Sequence, residues 1–362
     1  MSRFTHPLRW AAFWALIWVV ATAALAAQDE PAGTVGDPTA LSPRNANYEV
    51  EVTLDPETKM LDGRQTLTWR NIQEQPTDEL WFHLYWNAWK NNRSTWILEA
   101  RRRGRGDRFE KVARDDWSYL EVRSARLLPG MGYAEADLTS SMRFESPDDG
   151  NPDDRTVLVV RLPAPVGPGE TVKVEMAWKA KIPRTFSRTG FRGNYFFFAH
   201  WFPKLGVFEE QGWSCHQFHA HTEFYSDYGV YDVKMTVPGN FVLGATGKQV
   251  DRKENADGTV TYTYHQDDVH AFSWATSPDF LLKEKRFEEP GLPPVDMLLM
   301  IQPEHLDQVD RHFKATEACL LNYGKWFGAY PYDHLTIVDP AYGSGSGGME
   351  YPTFFTCGSS YF

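Results

Sequence analysis

The chain has 362 residues, room for about two domains at roughly 150 residues each. Its 14 Trp, 16 Tyr and 23 Phe exclude a disordered chain, and a single long uncharged run excludes a multi-span membrane protein. Lys+Arg is 37 against Asp+Glu 48, a net charge of −11, which argues against nucleic acid as a partner. Residues 1–26 read as a secretory signal peptide. Arg3 and Arg9 precede the uncharged run from Trp10 to Gln28, and Ala24-Leu25-Ala26 fits a signal-peptidase site. The run is nearly long enough to span a bilayer as an uncleaved anchor. Export to a periplasm or the exterior is expected in either case, with membrane attachment only if the segment is retained. Residues 27–44, rich in Pro, Gly, Ala and Thr, read as a flexible leader.

From Tyr48 the pattern has period two: Tyr48, Val50, Val52 and Leu54 alternate with polar residues, as in a half-buried strand. Leu61, Gly63, Gln65, Leu67 and Trp69 make one face of a return strand. The same alternation recurs at Val157–Leu162, Thr171–Trp178, Tyr231–Val237 and Thr259–His265, with Asp257-Gly258 as a hairpin turn. Residues 45–285 are therefore expected to be one mostly antiparallel β domain, a sandwich or a curved open sheet. Arg101, Arg102, Arg103, Arg105 and Arg108 crowd one stretch of it and read as a solvated loop.

After Pro290 the character changes. Leu306, Val309, Phe313 and Leu320 give one apolar helical stripe opened by Pro303 and stopped by Gly328 and Pro331. Leu335–Val338 and Phe354–Thr356 read as buried strands. A second domain is expected to start near residue 290, and residues 290–362 would be only its beginning.

Cys215, Cys319 and Cys357 are too few and too scattered for a disulfide framework or a cysteine zinc knuckle, although export leaves a Cys215 pairing open. Gly343, Gly345 and Gly348 match a dinucleotide fingerprint literally. That mechanism needs a helix N-terminus next, and Met349-Glu350-Tyr351-Pro352 points to extended chain instead. On a strand, His219, His221 and Glu223 would share a face, near His216, and could hold zinc or copper. A polar strand face among Phe218, Phe224 and Tyr225 explains them as well, and no recognised ligand spacing is present, so no metal ligand is assigned within the chain. Gly347-Gly348-Met349-Glu350 is the segment with the clearest chemistry. Side-chain-free backbone admits an added peptide strand, and the carboxylate beside it suits a free α-amine. A glycine-rich turn with an exposed Glu is the competing reading.

Gly347-Gly348-Met349-Glu350-Tyr351 resembles the G-x-M-E-N exopeptidase motif of the aminopeptidase N-like zinc metallopeptidases, the gluzincins. Tyr351 stands where Asn is commonest. Trp201-Phe202-Pro203-Lys204, the run from Glu223 to Val233, Val237-Pro238, Gly244-Ala245-Thr246-Gly247, and Leu61-Asp62-Gly63 with Trp69 and Asn71 are similar to the same family's amino-terminal domain. The resemblance implies a β saddle followed by the start of an α+β thermolysin-like catalytic domain. It implies a zinc peptidase acting on peptides with a free amino terminus, and Gly347, Gly348, Met349 and Glu350 as substrate contacts. It also implies a polar amine-binding side chain in the amino-terminal domain, which the departing sequence around Asn194 does not locate. The family's zinc motif, H-E-x-x-H, is absent: none of the 11 His is followed by Glu. The ligands are expected beyond Phe362, and the chain alone is expected to be inactive. The alternative is a non-catalytic peptide-binding or scaffolding β protein.

Overall fold

A computed structural model describes residues 39–105, 112–113 and 116–359. The expected signal segment 1–26, most of the leader 27–44, and Arg108 of the basic run lie outside the described residues. Strand makes up 46% and helix 14%, as the alternating patterns require.

The largest sheet has eight strands. Their order is Lys248–Glu254, Thr259–Val269, Gly229–Pro238, Ala46–Asp55, Met60–Arg70, Thr171–Lys181, Tyr119–Leu127 and Ala136–Asp137. Every neighbouring pair is antiparallel except Ala46–Asp55 with Gly229–Pro238, which run parallel with Tyr48 opposite Tyr231. Tyr48, Val50, Val52 and Leu54 are buried while Glu49, Glu51 and Thr53 are exposed, so this strand faces the core on one side only. The Asp257-Gly258 turn forms as expected. Gly258 is left-handed at φ 83, and the Asp257 carboxylate accepts from the Thr259 amide and hydroxyl.

Two four-stranded sheets share the core of the large one. The first is Val242–Ala245, Trp274–Ser277, Tyr195–Phe198 and Gly190–Arg192; the second is Lys204–Leu205, Thr77–His83, Val157–Val166 and Met142–Glu145. Trp201 sits edge-on to Trp178 at 5.7 Å and to Trp274 at 5.9 Å, and its indole N–H donates to the Phe272 carbonyl. Aromatic pairs of this geometry add about 0.5–1.5 kcal/mol each beyond area burial. A short helix, α1 (Thr95–Ala100), is capped by the Ser94 hydroxyl, which accepts from the Ile97 amide.

A further sheet has five strands in the order Leu281–Phe287, Val295–Ile301, His334–Val338, Phe354–Thr356 and Met349–Tyr351. The three central strands are parallel and the two outer pairings antiparallel. A 3-10 turn at Pro303–Gln308 runs into helix α2 (Val309–Phe327), which carries the crossover between Val295–Ile301 and His334–Val338. Met297, Leu299, Ile301 and Ile337 pack with Phe313 of α2. Met300, Val338 and Phe354 pack the other way, with Phe197, Phe280 and Tyr195. Burial on both faces explains why Leu299, Met300 and Ile301 are apolar in succession, as are Ile337 and Val338. The expected helical stripe holds for Val309, Phe313 and Leu320. Leu306 is 43% exposed, because it sits in the 3-10 turn, where the 3.6-residue period no longer applies. Cys215, Cys319 and Cys357 are all free thiols.

Candidate functional site

The glycine-rich segment ends in an edge strand. Met349–Tyr351 pairs on one side with Phe354–Thr356, with Glu350 opposite Phe355, and is the last strand of its sheet. Among the described residues its other edge has no strand partner. Such an edge presents unpaired backbone donors and acceptors to an added chain. Gly347, Gly348 and Glu350 are exposed and Met349 is half-buried. A Cβ at Gly347 would meet nothing within 4 Å, and its φ is not left-handed, so nothing in this chain's own packing demands glycine there. Alternation along the strand sends Glu350 to solvent and Tyr351 into the core, where its ring lies 5.7 Å from Phe197.

The turn that closes this hairpin is strained. Thr353 follows Pro352 with φ 55 and is 2% exposed, an outlier for a β-branched residue. It is locked from both sides. Its hydroxyl accepts from the buried Gly247 amide at 2.8 Å, and its carbonyl accepts from the Thr336 amide at 2.8 Å. The Gly244-Ala245-Thr246-Gly247 segment thus holds the turn beside Glu350. Thr353→Val should lower stability by about 1–3 kcal/mol, because it leaves the Gly247 amide buried without an acceptor. Urea unfolding of the variant beside wild type checks this.

Beside the glycine-rich loop opens a cavity of about 1270 Å³. Gly343–Gly345 form part of its wall, and Phe186, Phe218 and Phe224 supply apolar surface. Gly347–Glu350 are not in its wall; they follow its last lining residue, Gly345, along the chain. The Thr185–Arg192 segment lies against the loop at three points. Thr185 approaches Gly345, the Arg192 guanidinium lies over Gly343, and the Ser346 hydroxyl donates to the Arg188 carbonyl at 3.0 Å. Ser187 and Arg188 are the two central residues of a two-residue hairpin turn closed by Phe186 and Thr189, with φ 38 and 76. Such turns normally take Asn-Gly, and each non-glycine residue there costs on the order of 1 kcal/mol.

The Tyr351 phenol is where these charges meet. Burial pushes its pKa well up; Arg188 opposes the rise, while Glu350 and Glu223 add to it. His200 also approaches, 6.2 Å from the Tyr351 ring. It is buried in a left-handed conformation at φ 51, stacked on Phe224, and its Nε2 has no hydrogen-bond partner among the described residues. Burial, then the nearby Lys204, hold its pKa well below the usual value, so its ring is neutral. Lys204 is itself buried, donates to the His270 carbonyl, and is pulled by burial down to about 7. No sequence pattern marks His200 or Arg188, because both reach Tyr351 across more than 150 positions. Asn194, near which the amine-binding residue was sought, is exposed.

The histidine cluster differs from its sequence reading. His216, His219, His221 and Glu223 lie in irregular chain, so strand alternation does not place them on one face. His216 Nδ1 pairs with Asp148 at 2.6 Å. His219 is bracketed, Nδ1 to Glu99 of α1 at 2.8 Å and Nε2 to Asp148 at 3.0 Å. While the ring is protonated both of its nitrogens donate, which leaves no lone pair for a metal. Among the described residues no group of three His, Cys, Asp or Glu side chains could hold a metal, so the residues present do not fit a zinc ion.

Burial lowers the His219 pKa, but hydrogen bonds to Glu99 and Asp148 outweigh it and raise the net value. Burial likewise raises Glu99 and Asp148, and their hydrogen bonds outweigh it and lower them. The imidazolium's contribution is complete below pH 6.5 and is lost as pH rises through the raised pKa. The carboxylates' contribution is complete above pH 4.5 and is lost as pH falls through their lowered pKa values. The clamp is therefore strongest between those limits. All three groups are partly solvated, so His219→Gln should cost about 0.2–1 kcal/mol at pH 5.5 and less at pH 8.5. Urea midpoints at the two pH values check this.

No protein-family model matches the chain. No curated protein matches it. Solved structures do. An M1 zinc metallopeptidase from Deinococcus radiodurans is 16% identical with a TM-score of 0.54, the match covering 90% of this chain and 63% of that one. A point mutant of that enzyme bound to a Tyr-Ser-Ala substrate matches at 16% and 0.51, and a two-domain mutant bound to L-tryptophan at 16% and 0.53. The chain thus spans 63% of the length of the structures it matches, and at this identity the likeness shows that it shares the fold of the M1 zinc metallopeptidases.

Proposed function

We propose that this chain is the peptide-binding, amino-terminal part of an exported zinc metallopeptidase that removes residues from peptide amino termini. One observation carries the reading: an edge strand with no strand partner on its other side among the described residues, led by side-chain-free backbone at Gly347 and Gly348 and bearing an exposed carboxylate at Glu350. A peptide laid along that edge gains main-chain hydrogen bonds. Its α-amine, cationic at neutral pH, meets the Glu350 carboxylate. Binding the first residue this way selects exopeptidase action, since a chain continuing past Glu350 has no charge to offer there. These residues bind and orient; no bond-breaking step is assigned to them, because the residues present do not fit a zinc ion.

The test uses full-length protein dialysed against a chelator, so that bound peptide stays intact, titrated with Ala-Ala-Ala and its N-acetyl form. The free amine should bind at least tenfold more tightly. Equal affinities would remove the amine from the reading. A free-amine preference in protein that never hydrolyses peptide, with or without added zinc, would favour the scaffolding alternative. Gly347→Ala should unfold at the wild-type urea concentration, yet weaken peptide binding severalfold, because its methyl group occupies only space that a ligand would use.

A further inference from the structure

The chain is acidic, with a net charge of −11, yet the cavity beside the edge strand gathers Arg103, Arg184, Arg188 and Arg192. Its described carboxylates are Asp116, which Arg184 approaches at 3.7 Å, and Glu223. Among the described residues Arg188 and Arg192 make no ion pair. Both come from the segment that braces the glycine-rich loop, one tied through its carbonyl to Ser346 and the other lying over Gly343. Arg188 is half-buried in a left-handed turn where glycine would be unstrained. Strain retained at a cavity wall, on a residue whose guanidinium has no ion-pair partner among the described residues, is what a ligand-binding role explains and a packing role does not.

We propose that Arg188, with Arg192 beside it, forms a carboxylate subsite. It would receive the free carboxyl end, or an acidic side chain, of a short peptide whose amine is held at Glu350. The inference rests on the peptide-binding reading and adds to it a substrate class: short or acidic peptides. Arginine suits this role, because its planar fork matches a carboxylate with two parallel hydrogen bonds.

The experiment titrates chelator-dialysed full-length protein with Ala-Ala-Ala, Ala-Ala-Ala-amide and Glu-Ala-Ala-amide. Wild type should bind the free acid about tenfold more tightly than the amide. Restored affinity with Glu-Ala-Ala-amide would identify a side chain as the preferred source; no restoration would identify the carboxyl terminus. Arg188→Gly keeps the turn and relieves its strain, so it should melt no lower than wild type while binding acid and amide alike. Arg188→Lys should recover part of the preference. A carboxylate preference that survives Arg188→Gly, or a wild type that has none, overturns the subsite. The N-acetyl peptide separates the two readings: if acetylation has no effect but amidation does, the amine site at Glu350 fails and the subsite stands. Binding of no peptide at all overturns both.

Discussion

Glu350→Ala in the full-length protein should weaken binding of free-amine peptides by about ten- to a hundredfold and leave N-acetylated peptides unchanged. A hydrogen bond to a charged partner contributes about 1.5–3 kcal/mol, and every 1.4 kcal/mol is tenfold in affinity. The side chain is exposed and is in no ion pair among the described residues, so its removal disturbs no core contact. Tyr351, which does pack, points to the opposite face of the strand. Unfolding should therefore be unaffected, and Glu350→Gln, which keeps shape without charge, should fall between wild type and the alanine variant. In steady-state assays the loss should appear as a raised KM for free-amine peptides. Titration calorimetry with the acetylated and free forms is the direct measurement. Equal losses for both forms would mean that Glu350 holds the loop instead of the amine.

Gly229→Ala should be among the most destabilising single changes in the molecule, costing about 3 kcal/mol or more. A Cβ at this position would lie 1.8 Å from the Ala46 carbonyl oxygen and 3.2 Å from the Asn47 side chain. The first is backbone in the parallel pair that joins the two halves of the eight-stranded sheet, so it cannot swing aside. The second accepts from the Val230 amide, and any shift that relieves the clash breaks that bond. Thermal and urea unfolding should show a fall in Tm on the order of 10 °C. Gly347→Ala is the internal comparison: the same chemical change, made where a Cβ has open space, should leave unfolding untouched.

The strands with one wet face were legible because their burial alternates with the period of the backbone. Ala46–Asp55, Met60–Arg70, Thr171–Lys181 and Thr259–Val269 all carry that signal. Leu281–Phe287 was not legible: six of its seven residues are exposed, and its sequence is dominated by Lys, Glu and Arg. It is a strand only because Val295–Ile301 pairs along its whole length. Val295–Ile301 failed for a different reason: its alternation stops at Leu299, from which Leu299, Met300 and Ile301 are buried in succession. The histidine cluster was misread because alternation was applied to chain that forms no strand. Asp148 and Glu99, which set the protonation of His219, come from 71 and 120 positions away.

Local physics determined much of this protein: a mainly β body, the Asp257-Gly258 hairpin, the helix between Pro303 and Gly328, and extended chain after Gly348 in place of a nucleotide-binding helix. Each depends on the conformational preferences of residues close together along the chain, so composition and spacing suffice to read it. Only the tertiary structure decided that Met349–Tyr351 is the edge of its sheet among the described residues, that Glu350 faces out while Tyr351 faces in, and that Arg188 and His200 stand beside it. Those facts depend on which surfaces are desolvated when remote segments meet, and desolvation is a property of the packed chain that no local pattern encodes.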